Sequence, residues 1–219
     1  MSRAERGLFL VLDGVEGVGK STQARLLAEW MEERGIPHRL GREPGATPVG
    51  EAIREILLRR GGLEIPPETE LFLMLAARAA FVRAVVIPAV EEGFVMVADR
   101  FELSTLAYQG VGRELGVETI RPLNDFATGG LRPDLTVVLD LPVSEGRARQ
   151  AKEGRRPDRI EGESDAFLEA VREAYRALAR QEAADAVLLD ASGSPAEVHE
   201  ALRELLVQRF PELFKSGRG

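Results

Sequence analysis

The run from Leu8 to Thr22, LFLVLDGVEGVGKST, constrains the fold more than any other stretch of the chain. An apolar segment ending in Asp13 leads into Gly-x-x-x-x-Gly-Lys-Ser, Gly14 to Ser21. Such a segment reads as a strand covered on both faces. The glycines let successive backbone N–H groups converge on an anion with no Cβ in the way. A helix is expected to open near Lys20, its positive end toward the same anion. Lys20 adds a mobile charge for the outer phosphates, and the Ser21 hydroxyl suits Mg²⁺. The segment therefore reads as a nucleoside-triphosphate site built from Gly14, Val15, Glu16, Gly17, Val18, Gly19, Lys20, Ser21 and Thr22.

The rest of the chain repeats the strand–helix alternation. Strands read at 8–13, 38–42, 94–98, 135–141 and 186–190, and helices at 21–34, 47–60, 67–90, 102–127, 164–183 and 195–208. Alternation of this kind predicts an α/β fold, a five-stranded parallel sheet flanked by helices with right-handed crossovers. Functional residues then belong at the carboxyl ends of the strands. With 219 residues the chain fits a single domain, 1–210, followed by a tail, 211–219, around whose start stand two exposed-looking phenylalanines, Phe210 and Phe214.

Charge and composition narrow the function. The net charge is −7, which disfavours nucleic acid as a partner. With no cysteine, thiolate metal sites and disulfides are excluded. The first residues carry mixed charge, and no signal peptide is expected there. The most apolar stretch, 71–90, is interrupted by Arg78 and Arg83 and reads as a buried helix rather than a membrane span. A cytoplasmic enzyme is expected.

Several constellations carry chemistry. Asp99 and Arg100 end the third strand, where a carboxylate can hold Mg²⁺ and a guanidinium can grip a phosphate. The next helix holds Ser104, Thr105, Tyr108 and Gln109 on an apolar background, with 101, 104, 105 and 108 on one face. Gln109 offers an amide to a base edge, although a solvated face fits the spacing equally well. Arg78, embedded among apolar residues, needs a partner, either a ligand or an acidic side chain such as Glu70. Arg42 to Thr47 reads as a tight turn with Thr47 capping the next helix. The segment 144–162 is dense in arginine, with Gly146 and Gly154 as candidate hinges, and reads as a lid over the triphosphate. His38 and His199 have no companion ligands in the sequence.

Taken together, Asp13 to Gln23, Arg42-Glu-Pro-Gly-Ala-Thr, Ala76-Ala-Arg78, Asp99 to Gln109 and Asp158-Arg-Ile-Glu161 resemble the thymidylate kinases over nearly the whole chain. The resemblance implies the P-loop nucleoside monophosphate kinase fold, ATP with Mg²⁺ on Ser21 and Asp99, dTMP as acceptor, and a homodimer. It implies Glu16 near the sugar 3′-hydroxyl, and Glu43, Arg54 and Arg100 around the acceptor phosphate. Arg78, Gln109 and Thr105 would contact the thymine, and Tyr108 would lie against the deoxyribose. Met74 stands where a phenylalanine usually stacks on the base, and a thioether packs there less rigidly. Gly17 stands where some members carry a P-loop arginine. The catalytic cation beside Lys20 and Arg100 would then come from the lid, with Arg149, Arg155 and Arg156 as candidates. Transfer from ATP to dTMP is the expected reaction. Another nucleotide or nucleoside kinase, or a P-loop switch, are the alternatives.

Overall fold

β1 (Leu8–Asp13) is buried along its whole length and forms the centre of the molecule. In the computed structural model, residues 6–59, 61, 63–152, 154, 158–182 and 184–214 are described. Its alternate side chains feed two cores. Leu8, Leu10 and Leu12 point into one, Phe9 and Val11 into the other. β3 (Val95–Asp99) divides in the same way, with Val95 and Val97 on one side and Met96 and Ala98 on the other. This double burial explains why these strands read as continuous apolar runs.

The sheet order is β2-β3-β1-β4-β5 and every pairing is parallel, with β2 (His38–Arg42), β4 (Leu135–Asp140) and β5 (Ala186–Asp190) completing it. β1 lies between β3 and β4, so the loop after it opens where the strand order turns back, the usual place for a ligand crevice. The expected five-stranded parallel sheet is thus present.

On the first core face lie α1 (Lys20–Glu33), α8 (Asp165–Gln181) and α9 (Pro195–Arg209). Thr47 caps α2 (Pro48–Leu58) by accepting from the Gly50 N–H at 2.9 Å, as its place in the sequence suggests. α3 (Pro67–Phe81) continues through a π-helical turn, Val82–Val86, into α4 (Ile87–Glu91). This rod, Pro67–Glu91, is long and apolar enough to cross a membrane by length and composition. It is a core helix instead, because Phe81, Val82, Val86, Ala89 and Val90 pack on Phe9, Val11 and Met96 of the sheet.

Three expectations require correction. The helix expected over 102–127 is two, α5 (Glu102–Thr105) running on through the π-helical segment Leu106–Gly112, then α6 (Val117–Thr128). The chain turns between them, with Glu114 at φ 60° and Gly116 at φ 83°, which no continuing helix allows. Gly146, read as a candidate hinge, lies inside a packed helix, α7 (Val143–Lys152). Phe214 is not exposed: α10 (Pro211–Phe214) presses it against Trp30, rings stacked at 5.2 Å, and only 1% of it remains accessible.

Candidate active site

The loop after β1 is built on three glycines at positive φ, Gly14, Gly17 and Gly19. Gly19 precedes α1 with no side-chain cap, so the first-turn N–H groups of that helix are left for a ligand. The Lys20 side chain folds back over the loop, its Nζ donating to the carbonyls of Gly14 (3.0 Å) and Val15 (2.7 Å). Burial, helped by the nearby Arg100 charge, pushes the Lys20 ammonium down to about 8. Ser21 Oγ donates to Asp99 Oδ2 at 2.7 Å, placing a hydroxyl and a carboxylate side by side at the loop mouth. Two hard oxygen donors there suit Mg²⁺, an ion that otherwise keeps waters and substrate phosphates.

A cavity of about 860 Å³ opens over this loop. Its walls are Glu16 to Gln23, Arg42, Asp99, Arg149, Gln150 and Lys152, with Ser192 to Pro195 and Val198 on the far side. Arg149 spans that wall, its Nη2 donating to the carbonyls of Ala191 (2.9 Å), Ser192 (3.3 Å) and Gly193 (3.3 Å).

A second cavity, about 100 Å³, lies beyond Arg100. Glu43, Arg54, Met74, Arg78, Thr105, Tyr108 and Gln109 line it, together with Pro44, Leu58, Asp158 and Ile160. Arg78 is 2% exposed yet fully supported. Its Nε and Nη2 reach Glu43 Oε2 at 2.8 and 2.6 Å, and Nη1 donates to Thr105 Oγ1 (3.0 Å) and Asn124 Oδ1 (2.7 Å). Three of the five N–H groups of the guanidinium thereby donate hydrogen bonds, Nη2 pairs with the Glu43 carboxylate, and at least one N–H on Nη2 remains. Burial pushes the Glu43 carboxyl up despite Arg78, and its Oε1 has no partner among the described residues. Arg54 holds the rim through the Pro44 carbonyl at 3.0 Å.

The two cavities share Glu16, Glu43, Arg54, Arg100 and Glu161 as walls. Arg100 is the centre of this junction. It stands at φ 75°, a conformation an arginine holds only when its surroundings enforce it. They do: its guanidinium donates to Glu16 Oε1 (2.8 Å), the Gly14 carbonyl (3.1 Å), Ser104 Oγ (3.1 Å) and the Tyr175 hydroxyl (3.2 Å). Tyr108 donates to the other oxygen of Glu16 at 2.6 Å, and its ring lies under Arg100. Burial pushes the Glu16 carboxyl up, but Arg100, Lys20 and the Tyr108 hydroxyl together bring it below its ordinary value. Beneath sits Asp13, fully buried, accepting from Ser104 Oγ and Tyr175 OH, each at 2.6 Å.

The sequence-derived residues therefore converge. Those assigned to the loop line the large cavity or support it, those assigned to a base and sugar line the small one, and Glu16 and Arg100 stand between. Arg155 and Arg156 lie outside the described residues. The suggested Arg78–Glu70 bridge does not form, because Arg78 turns to Glu43 while Glu70 takes Arg113, Arg159 and Gln109. Gly146 is no hinge. It sits inside α7 against the loop, where an added Cβ would lie 2.6 Å from the Glu16 carbonyl. Sequence reasoning missed Asp13 and Tyr175 as the seat of Arg100. Asp13 read as a strand end, and Tyr175 as one more core position of an amphipathic helix. It also missed the convergence on Glu70 of Arg113, which carries no local pattern, and of Arg159, quoted only as part of the Asp158–Glu161 motif.

Comparison with known proteins agrees with this geometry. A family model described as thymidylate kinase matches residues 12–202. A thymidylate kinase of Pseudomonas fluorescens (strain SBW25) is 47% identical over 213 residues, covering 97% of this chain and 99% of that protein. One from Pseudomonas entomophila (strain L48) is 49% identical over 200 residues, 91% of this chain and 95% of that one. The crystal structure of thymidylate kinase from Ehrlichia chaffeensis superposes with a TM-score of 0.72 at 26% identity, over 92% of this chain and 99% of that chain. The chain belongs to the thymidylate kinase family.

Proposed function

We propose that this protein transfers the γ-phosphoryl group of ATP to dTMP, giving dTDP and ADP in dTTP synthesis. The observation that carries the reading is the pair of cavities meeting at Arg100 and Glu16. One is floored by a phosphate-binding loop, and the other is lined by Arg78 and Gln109. ATP in the large cavity and dTMP in the small one would face each other phosphate to phosphate. Most of the acceleration then comes from alignment and charge neutralisation. Arg100 and Arg54 hold the acceptor phosphate, Lys20 follows the transferred group, and Glu16 receives the sugar 3′-hydroxyl. Tyr108 stands beside the deoxyribose, and Met74 and Thr105 pack around the base. Ser21 and Asp99 would hold Mg²⁺, which would supply charge neutralisation on the donor phosphates. Because the Arg149 guanidinium is spread over three backbone carbonyls, we assign it to the donor-nucleotide wall and leave lid catalysis to Arg155 or Arg156.

One domain, 1–210, serves both substrates in this reading, with the segment 144–162 covering the donor. A cytoplasmic homodimer completes it. Phe72 of α3 and Phe126 of α6, 59% and 88% exposed, offer the apolar face on adjoining helices, and sedimentation analysis tests it. The activity is tested by kcat/KM for dTMP, dUMP, dGMP and thymidine with ATP–Mg²⁺. A clear preference for dTMP is expected, and phosphorylation of none of the four would refute the reading.

A further inference from the structure

Gln109 lies on the π-helical segment at the wall of the small cavity and is 2% exposed. Its Nε2 donates to Glu70 Oε1 at 2.7 Å. Glu70, on α3, is 1% exposed and receives two guanidiniums as well. Arg113 lies at 3.3 Å from each oxygen, and Arg159 Nη2 is 2.6 Å from Oε2. Burial pushes the Glu70 carboxyl up, but these hydrogen bonds bring it below its ordinary value. An ionised carboxylate only accepts, so one amide orientation of Gln109 is possible. Turning the amide would set its carbonyl against a buried carboxylate and take from Glu70 Oε1 the nearer of its two donors. The Gln109 Oε1 is therefore held on the side away from Glu70, and no described residue donates to it. Across the same cavity stands Arg78, which can only donate and has one Nη2–H to spare.

We propose that Glu70 is a specificity-determining positioning residue: by fixing the Gln109 amide, it makes the acceptor pocket present one hydrogen-bond acceptor beside one donor. That pair complements a pyrimidine with a ring N–H next to a carbonyl, as in thymine. It opposes cytosine, whose ring nitrogen accepts and whose neighbouring amino group donates. The inference rests on the acceptor-site reading given above. Glu70 does not touch the substrate and acts through Gln109.

The test compares kcat/KM for dTMP and dCMP in the unaltered protein and in Glu70→Gln. An amide at position 70 can donate or accept, so either orientation of Gln109 becomes available. The dTMP-to-dCMP preference is expected to fall by about tenfold or more, with dCMP turnover rising. Equal losses for both substrates, or an unchanged ratio, would overturn the proposal and reduce Glu70 to a structural ion-pair centre. A second measurement does not depend on the variant folding. The unaltered protein is given dUMP and the monophosphate of 3-deaza-2′-deoxyuridine, which has a ring C–H in place of N3–H. A drop of about tenfold in kcat/KM for the deaza compound supports the fixed acceptor, and parity removes it. If the unaltered protein phosphorylated no deoxypyrimidine monophosphate at all, the acceptor-site reading itself would fall and take this inference with it.

Discussion

Lys20 shows how much of the site's behaviour is set by single side chains. Its ammonium is buried under the loop with Arg100 nearby and titrates at about 8 against an ordinary 10.5. Below pH 8 the group is charged both folded and unfolded, so its burial cost is fully present. Between about 8 and 10.5 the unfolded chain holds more protons, and the folded state gains stability as pH rises. A nucleotide phosphate beside Nζ restores the charge. ADP binding at pH 8.5 is therefore expected to take up about three quarters of a proton, and Lys20→Met should abolish this uptake. Calorimetry in buffers of different ionisation enthalpy reads it, and zero uptake by the unaltered protein would refute the depressed value. The loop residues were legible one by one because each has a local job in a contiguous motif. Asp13 and Tyr175 were not, since 162 positions separate them and only the folded sheet brings them together at 2.6 Å.

At the scale of elements, the central strands β1, β3 and β4 were read almost to the residue, because double burial imposes an unbroken apolar run. The helices after β3 and β4 were read less well. A π-helical turn leaves the apolar pattern nearly intact, so Leu106–Gly112 looked like ordinary helix. Arginine density over 144–162 suggested a lid with a hinge at Gly146, but Val143 and Gly146 are buried and anchor α7 beside the phosphate loop. Arg147 ties the same helix to the carbonyls of Glu161 (2.7 Å) and Glu163 (2.5 Å). The approach of α7 to Gly17 requires a residue without Cβ at 146. Gly146→Ala would gain up to about 1 kcal/mol of helix propensity and lose about 1–3 kcal/mol to overpacking. Net stability should therefore fall by up to about 2 kcal/mol, while the displaced loop raises KM for ATP about tenfold or more and leaves KM for dTMP nearly constant. Steady-state kinetics with each substrate varied in turn would show it. An unaltered KM for ATP would mean that the loop tolerates the shift.

For the whole molecule, sequence order hides the closure. The segment 211–219 looked like an appendage with exposed aromatic residues, yet α10 returns to the first helix. Phe214 stacks on Trp30 at an interplanar angle of 16°, with Arg34 and Arg203 over the same indole. Gln23 of α1 meanwhile donates to the Pro195 carbonyl at 2.9 Å, tying α1 to the start of α9. The C-terminal elements α9 and α10 thus brace the helix near the start of the chain whose first turn faces the donor-phosphate loop. Periodicity could not reveal this, because a four-residue helix shows no period and the contact spans most of the sequence. Removing the ring tests the brace. Phe→Ala in a core costs about 3–5 kcal/mol, and the terminal position favours the lower figure. For a chain of this size, about 3 kcal/mol corresponds to a fall in Tm of about 6–12 °C. Trp30 is the single tryptophan, so its emission reports the site directly and should shift to the red in Phe214→Ala. The donor side should suffer more than the acceptor side, with KM for ATP rising further than KM for dTMP, because α1 and α9 wall the large cavity and not the small one. Unchanged emission together with an unchanged Tm would show that α10 contributes nothing to holding the phosphate-binding helix.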